Sequence, residues 1–508
     1  MAPTKPAPPR AGRAAALVLR TAPVMATLAF VFLGRSKEQV LVFAAAAGLT
    51  VALQIWGAWR LRSLAAVGEG LLLAAGLWVG LFGAELAFRT WPSLLPRRVL
   101  SDAPGGGTTL LTGSFWFDRP AEWGIRFRPL LDRRFCADLG DPAVLGTWGV
   151  LHIARTGSPT VTCTSMATDE DGFLNKPPVR GEFFDIVVAG DSFSMSTGNA
   201  NWVARVGELT SRRTLNLGVP HWGTAQEVLA VRAYGLPKHP HQVVLAYFGG
   251  NDLGDAVTYE RRRASGLSWR DLGFRQLRES KGSLVSPFLP LTGLLAQELK
   301  ASLGSRLRGR RPAPVYPVCV KISGRPIRLA FYEPYVSTLT CTRSEIESSR
   351  NFRLVVAGLR LLQGEARAAG VPVLVAYLPS KEQVYLPLIL AEPSVAAVLQ
   401  GFRRLGKGPS GELTPLSEPL DAGAVRHSMD DQARSMDHVV RDLGFDFLDL
   451  TDAFRQEAAR GMELYNLVDT HWNDAGHELA ARVVAAHLGR ATERDTVPSS
   501  GPVDGRRQ

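Results

Sequence analysis

The sequence predicts an α/β protein, a parallel sheet covered on both faces by helices, preceded by membrane-spanning helices. From Asp185 onward, short apolar runs alternate with segments of helical period near 223–234, 348–369 and 475–489. The runs are "DIVVAG" (185–190), "TLNLG" (214–218), "QVVLAYFGG" (242–250), "VPVLVAYLP" (371–379) and "FDFLDL" (445–450). They are largely apolar along their length instead of at every second residue, the pattern of strands buried on both faces. Ahead of them, residues 40–59 ("VLVFAAAAGLTVALQIWGAW") carry no charge and match the length needed to cross roughly 30 Å of hydrocarbon.

Two weaker spans flank that stretch. Residues 14–34 contain Arg20 and Pro23, and residues 64–88 carry Glu69 and Glu85 near their ends before "RTWPSLLPRR", whose Trp91 and arginines suit a membrane boundary. A cleaved signal peptide is the other reading of the first span. Lys5, Arg10 and Arg13 before the first span, and Arg60 and Arg62 after the second, favour a cytoplasmic side for those ends. Three crossings would put everything after about residue 90 outside the cytoplasm, with the lipid bilayer as a partner. The expected organisation is an anchor over 1–90, a connector with short strands ("GTWGVLHIA", "PTVTCTS") over 91–181, a sheet domain over 182–490 and a tail over 491–508. An insertion over 255–347 is longer than an ordinary crossover and reads as a lid or accessory subdomain on one rim.

With 46% hydrophobic and 21% charged residues the chain is not of the disordered class. Its net charge of +11 comes without a basic helix or an aromatic-interleaved basic patch, so no nucleic acid is expected; "SRLRGRRPAP" (305–314) reads as a solvated loop. Cys136, Cys163, Cys319 and Cys341 all fall in the exported part. Their even number is compatible with two disulfides, and sequence proximity favours Cys136 with Cys163 and Cys319 with Cys341; buried free thiols are the alternative. No CxxC spacing is present, and no metal or cofactor is expected.

In open parallel sheets, ligands bind outside the carboxyl ends of the strands. Ser192 follows the first run, Asn251 in "FGGND" follows the third, and Asp469 and His471 in "VDTHWNDAGH" follow the last. These are the types acyl transfer needs. A serine hydroxyl is a poor nucleophile until a base takes its proton, an imidazole does so near neutral pH, and a carboxylate such as Asp469 fixes its tautomer. Backbone N–H groups and an Asn amide can hold the oxyanion. Ser194 and Ser196 are rival nucleophiles, but Ser192 sits nearest the strand end. Asp191, His221 and Trp222 are candidate pocket residues, the last two equally well core or turn packing. Lys381 in "YLPSKEQVY" follows the fourth run and is either a contact for a substrate carboxylate or phosphate or a solvated lysine. His477 lacks helical spacing from His471 and reads as a helix-surface histidine rather than a metal ligand.

"GDSFS", "NLGVPHWG", "FGGND" and "DTHWNDAGH", in that order, resemble blocks one, two, three and five of the SGNH (GDSL) hydrolase superfamily, over about residues 183–488. The resemblance implies a flavodoxin-like three-layer parallel sheet, the SGNH hydrolase fold, with Ser192 as nucleophile and His471 as base. It also implies an oxyanion hole of the Ser192 backbone N–H, Gly218 and Asn251. Many members place the Asp three residues before the His, whereas Asp469 lies two before His471. "DTHW" instead resembles membrane-associated SGNH-like proteins that O-acetylate alginate and other polysaccharides, although there the motif precedes the serine. The expected activity is a membrane-anchored extracytoplasmic serine esterase acting on O-acyl, foremost O-acetyl, esters of carbohydrates. The alternatives are a polysaccharide O-acetyltransferase with an acyl-donor membrane partner, a non-catalytic polysaccharide-binding or assembly protein, and a lipase.

Overall fold

The computed structural model describes residues 76, 79–87, 117–118, 126–138, 161–195, 200–265, 295, 318–467 and 470–496. The chain divides into two compact units, residues 1–115 with 270–313 and residues 116–269 with 314–508. In the first unit the described residues are helical. Among the described residues no helix is long and apolar enough to cross a membrane. The expected spans lie outside the described residues except for residues 76 and 79–87 of the third.

The five apolar runs form the central sheet of the second unit. The strands are β1 (Ile186–Gly190), β2 (Thr214–Asn216), β3 (Gln242–Phe248), β4 (Val373–Leu378) and β5 (Asp446–Asp449), in spatial order β2-β1-β3-β4-β5 and all parallel. That is the flavodoxin-like order, in which the chain reverses direction across the sheet between β1 and β3. Alternate residues feed two cores, because successive strand side chains point to opposite faces. Ile186, Val188, Val244, Ala246, Leu374 and Ala376 join one cluster, and Val187, Ala189, Val243, Leu245, Val373 and Val375 join the other. Each fully buried aliphatic side chain contributes up to about 1.5–3 kcal/mol, so a sheet buried on both faces needs apolar residues at every position.

Helices cover both faces. α1 (Trp202–Thr210), α5 (Lys381–Ile389), α7 (Thr451–Ala459) and α8 (Asp474–Thr496) pack on the first face through Trp202, Leu386, Phe454 and Val484. α2 (Thr224–Ala230), α4 (Arg350–Ala369) and α6 (Asp431–Asp442) pack on the second through Val228, Leu359 and Met436. α3 (Asp252–Ser265) leaves β3 and adds Leu253 and Ala256 to that second core. Side-chain caps set several starts: Asn201 accepts from Val203 N–H, Ser349 from Phe352 N–H and Ser380 from Gln383 N–H. Gly370 ends α4 at φ +68, a conformation natural to glycine.

The stretch expected as one insertion over 255–347 is divided. Its first part extends α3, residues 270–313 go with the first unit, and residues 318–347 belong to the core of the second. Val318–Ile322 and Arg325–Leu329 form an antiparallel hairpin about Ser323 and Gly324, both at positive φ, and Val318, Val320 and Ile322 point inward. "PTVTCTS" does hold a strand, Val161–Ala167, antiparallel to Asp132–Asp138; "GTWGVLHIA" lies outside the described residues. Cys136 and Cys163 stand directly opposite each other in that pair. The expected Cys319–Cys341 disulfide is absent. Cys319 is exposed on the outer face of its hairpin strand, whereas Cys341 is buried with its thiol against the Leu405 carbonyl, and burial pushes that thiol up to about 12.

Candidate active site

β1 ends at Gly190, where a side chain would collide with Ser194 Oγ at 2.6 Å and Ala246 Cβ at 2.9 Å. That fit lets the chain fold into a single tight turn, Ser192–Ser194, capped by Asp191, whose Oδ1 accepts from Phe193 N–H at 2.8 Å. The turn carries Ser192 to the reversal point between β1 and β3. Trp202 Nε1 donates to the Phe193 carbonyl at 2.9 Å, and the Phe193 ring stacks on Phe248 with centroids 3.9 Å apart. Ser194, the rival hydroxyl, is fully buried; Ser196 lies outside the described residues.

His471 reaches this turn from the loop between α7 and α8. Its Nε2 lies 2.7 Å from Ser192 Oγ, and both residues keep only 6% of their surface exposed. The ring leans on Phe193 with centroids 4.9 Å apart, while Trp472 meets Phe193 edge-on at 5.1 Å and stacks on Phe454 at 5.0 Å. Asn466 holds the loop closed, its backbone N–H and its Nδ2 both donating to the His471 carbonyl, at 2.9 and 3.2 Å. Asp469 lies outside the described residues. A hydroxyl within hydrogen-bond reach of an imidazole nitrogen is the geometry of a base-activated nucleophile.

The three proposed oxyanion donors stand differently. Gly218 N–H donates to Asn216 Oδ1 at 2.8 Å, so this donor is engaged within the protein. What Gly218 supplies is room, since a Cβ there would lie 2.3 Å from Ser194 Cβ. Asn216, which the sequence reading did not single out, also donates from Nδ2 to the Ser194 carbonyl at 2.7 Å and so braces the nucleophile turn from β2. Asn251, at the carboxyl end of β3, donates from Nδ2 to Asp255 Oδ2 at 2.7 Å and also bonds the Asp191 carboxylate. The Ser192 N–H opens the turn itself.

Asp191 is fully buried, and burial pushes its carboxyl up to about 6 against the pull of the Phe193 N–H, the His471 charge and the Asn251 amide. Behind it stand Glu227 of α2 and Asp252 and Asp255 of α3, each held well above the usual carboxylate range, by burial first and then by neighbouring carboxylates. Both Glu227 oxygens are buried without a hydrogen-bond partner among the described residues. The sequence reading missed this acid group; its only signal was acidic residues at the heads of helices that leave the active rim.

His221 is half-buried at φ +62, a strained conformation for a side-chain-bearing residue, and loss of water followed by the charge of His471 pushes its imidazole down to about 4. Trp222 is wholly buried in the second core, edge-on to Phe173. His477 is not on the helix surface. It is buried edge-on to Trp472, and burial followed by the His471 charge pushes its imidazole down to about 3. Lys381 is not a solvated lysine: it is fully buried, and its Nζ donates to the carbonyls of Asn466 and Leu467 at 3.1 and 3.2 Å. Among the described residues no cluster of His, Cys, Asp and Glu is arranged to hold a metal ion.

Comparison with solved structures finds an acetylxylan esterase mutant from Geobacillus stearothermophilus at 13% identity and TM-score 0.29, spanning 61% of this chain and 95% of that one. It also finds a protein of the G-D-S-L family from Desulfitobacterium hafniense at 10% identity and TM-score 0.27, spanning 59% of this chain and 97% of that one. Among curated proteins no sequence relative is found. The model of the GDSL-like lipase/acylhydrolase family matches residues 188–479, more than half of the 508, and by that match the chain belongs to this family of ester hydrolases.

Proposed function

We propose that the chain is a serine esterase that removes small O-acyl groups, acetyl foremost, from carbohydrate through an acyl-serine intermediate at Ser192. The observation that carries the reading is the 2.7 Å contact between Ser192 Oγ and His471 Nε2 at the carboxyl ends of the sheet. Ser192 Oγ attacks the ester carbonyl as its proton passes to His471, and the carbonyl electrons move onto oxygen. The tetrahedral adduct collapses, the C–O bond to the sugar breaks, and His471 returns the proton to the departing sugar oxygen. Water then attacks the acyl-serine with His471 again as base, releasing the carboxylic acid and restoring Ser192. Asp469 takes the role of holding the imidazole, and Asn251 with the Ser192 and Gly218 N–H groups that of the oxyanion donors. Asn251 and Gly218 must first yield their present internal acceptors.

A small acyl group is favoured because Ser192 and His471 each keep only 6% of their surface exposed, with the His471 ring packed on Phe193. The carbohydrate substrate and an extracytoplasmic, membrane-anchored setting are supported by the sequence: the charge-free stretch over 40–59, the basic residues flanking the expected spans, and the "DTHW" wording. The same wording favours one second reading, transfer of the acyl group to a sugar hydroxyl instead of water, with a membrane partner as donor.

The test treats the detergent-solubilised full chain with a serine-directed fluorophosphonate and reads the modified residue by mass spectrometry, with His471→Ala alongside. Labelling at Ser192 that depends on His471 is the expected result; a folded wild type that stays unlabelled there overturns the reading. Products from acetylated xylan or alginate, free acetate against acetylated acceptor, separate hydrolysis from transfer.

A further inference from the structure

A lysine buried without exposed surface needs a reason, because removing an ammonium from water is strongly unfavourable unless its hydrogens are taken up. Lys381 also sits in the first turn of α5, the positive end of a helix, where a cation is disfavoured. Against those penalties, Nζ reaches across to the carbonyls of Asn466 and Leu467, at 3.1 and 3.2 Å. Asn466 is the residue whose backbone N–H and Nδ2 both hold the His471 carbonyl. The rest of the same segment grips the loop on either side of that point. Tyr385 OH donates to the Met462 carbonyl and accepts from Leu464 N–H, while Tyr465 OH donates to the Pro379 carbonyl. Glu382, beside Lys381, takes the Tyr332 N–H and so ties in the segment that follows the Arg325–Leu329 strand.

We propose that Lys381 is the positioning residue of the general base: by holding the Asn466 and Leu467 carbonyls it fixes the loop through which Asn466 carries His471 to Ser192. The proposal rests on the reading of His471 as base. Lysine suits the task because one ammonium presents several donors from a single point, which matches two adjacent carbonyls converging on it. A methionine at 381 has similar length but no donor, so the two half-buried carbonyls would lose the ammonium that holds them and the loop would be free to reseat. The reacting geometry tolerates little displacement, so the effect falls on the chemical step more than on substrate capture.

The test compares wild type, Lys381→Met, Asn466→Ala, the double variant and a remote core variant, Val440→Ala in α6, with p-nitrophenyl acetate as substrate and fluorophosphonate labelling of Ser192 as second readout. Lys381→Met should lower kcat and the labelling rate at least tenfold with KM within about twofold, and the double variant should lose little more than the worse single one. Val440→Ala, with a comparable drop in Tm, should keep its kcat. The proposal is overturned if Lys381→Met keeps kcat, if Val440→Ala loses kcat in step with its Tm, or if the two site variants lose activity additively. Should Lys381→Met be recovered only as aggregate, Asn466→Ala decides: a tenfold lower kcat at unchanged KM supports the route through Asn466, and a wild-type kcat removes it. A wild type that fails to label at Ser192 is a failure of the esterase reading instead, and is seen before any variant is made.

Discussion

At the turn after β1, Ser192 Oγ lies 2.7 Å from His471 Nε2 and 3.5 Å from Asp191 Oδ2, so the imidazole, not the carboxylate, is the partner close enough to take its proton. Ser192→Ala should retain the fold and lose esterase activity on the order of a thousandfold or more, read as kcat/KM on p-nitrophenyl acetate. At that distance Asp191 can bear on the reaction only through its charge. With its carboxyl pushed up to about 6, it is ionised at pH 7.5 and stands beside the imidazolium that forms during attack. Asp191→Asn should lower kcat/KM roughly tenfold or more, the size of one charge-assisted hydrogen bond. As pH falls through about 6 the wild-type carboxylate takes up its proton, so the acid limb of the pH–kcat/KM profile should contain an ionisation that Asp191→Asn lacks. An unchanged acid limb would remove Asp191 from the mechanism.

Between elements, fit at two glycines separates space from propensity. A Cβ on Gly218 would sit 2.3 Å from Ser194 Cβ and 3.2 Å from the Asp191 carbonyl, with the backbones of β2 and the nucleophile turn both fixed. Gly218→Ala should therefore destabilise by ~1–3 kcal/mol in urea unfolding and slow the labelling of Ser192, because the turn is what must move. Gly254 in the first turn of α3 meets nothing within 4 Å, so Gly254→Ala should stabilise by roughly 0.5–1 kcal/mol with labelling unchanged. Equal behaviour of the two variants would contradict the close packing of β2 against the turn.

Across the whole molecule, the buried acids make stability depend on pH. Asp191, Glu227, Asp252 and Asp255 all have carboxyls raised in the folded chain. Between an unfolded value near 4 and those raised values the folded state binds more protons, so the stability these four groups contribute is fullest below about pH 4 and is lost as pH rises through their folded values. Urea midpoints should fall from pH 5 to pH 8 for the part of the dependence these acids supply, and Glu227→Gln should flatten that fall and raise the midpoint at pH 8. A wild-type midpoint that rises across this range, unaffected by Glu227→Gln, would show that the acids lie elsewhere. For the anchor, a reporter fused after residue 100 should be active only outside the cytoplasm, and cytoplasmic activity would overturn the proposed setting.

Much of the fold was legible because its signal is local. A parallel strand buried on both faces must be apolar at successive positions, which marks β1, β3 and β4 within two or three residues of their ends, and the long α4 and α8 announce themselves by period. The hairpin over 318–329 escaped although "ISGRP" carries its turn, since the surrounding stretch was read as one insertion. The kinds of residue at the site were legible too, because acyl transfer draws on few side chains. Ser192 and His471 are 279 residues apart, and their meeting depends on strand order and on how a distant loop is held. Tertiary structure alone decided that there is no room for a side chain at Gly218 beside Ser194, that Cys319 and Cys341 face different surroundings, and that Lys381 points into the protein toward the Asn466 and Leu467 carbonyls. The sequence by itself determined the sheet and the chemical types at its rim, since periodicity and composition are properties of neighbours along the chain. Where a side chain points and what it touches are set by burial against residues far away in sequence, which only the folded molecule brings together.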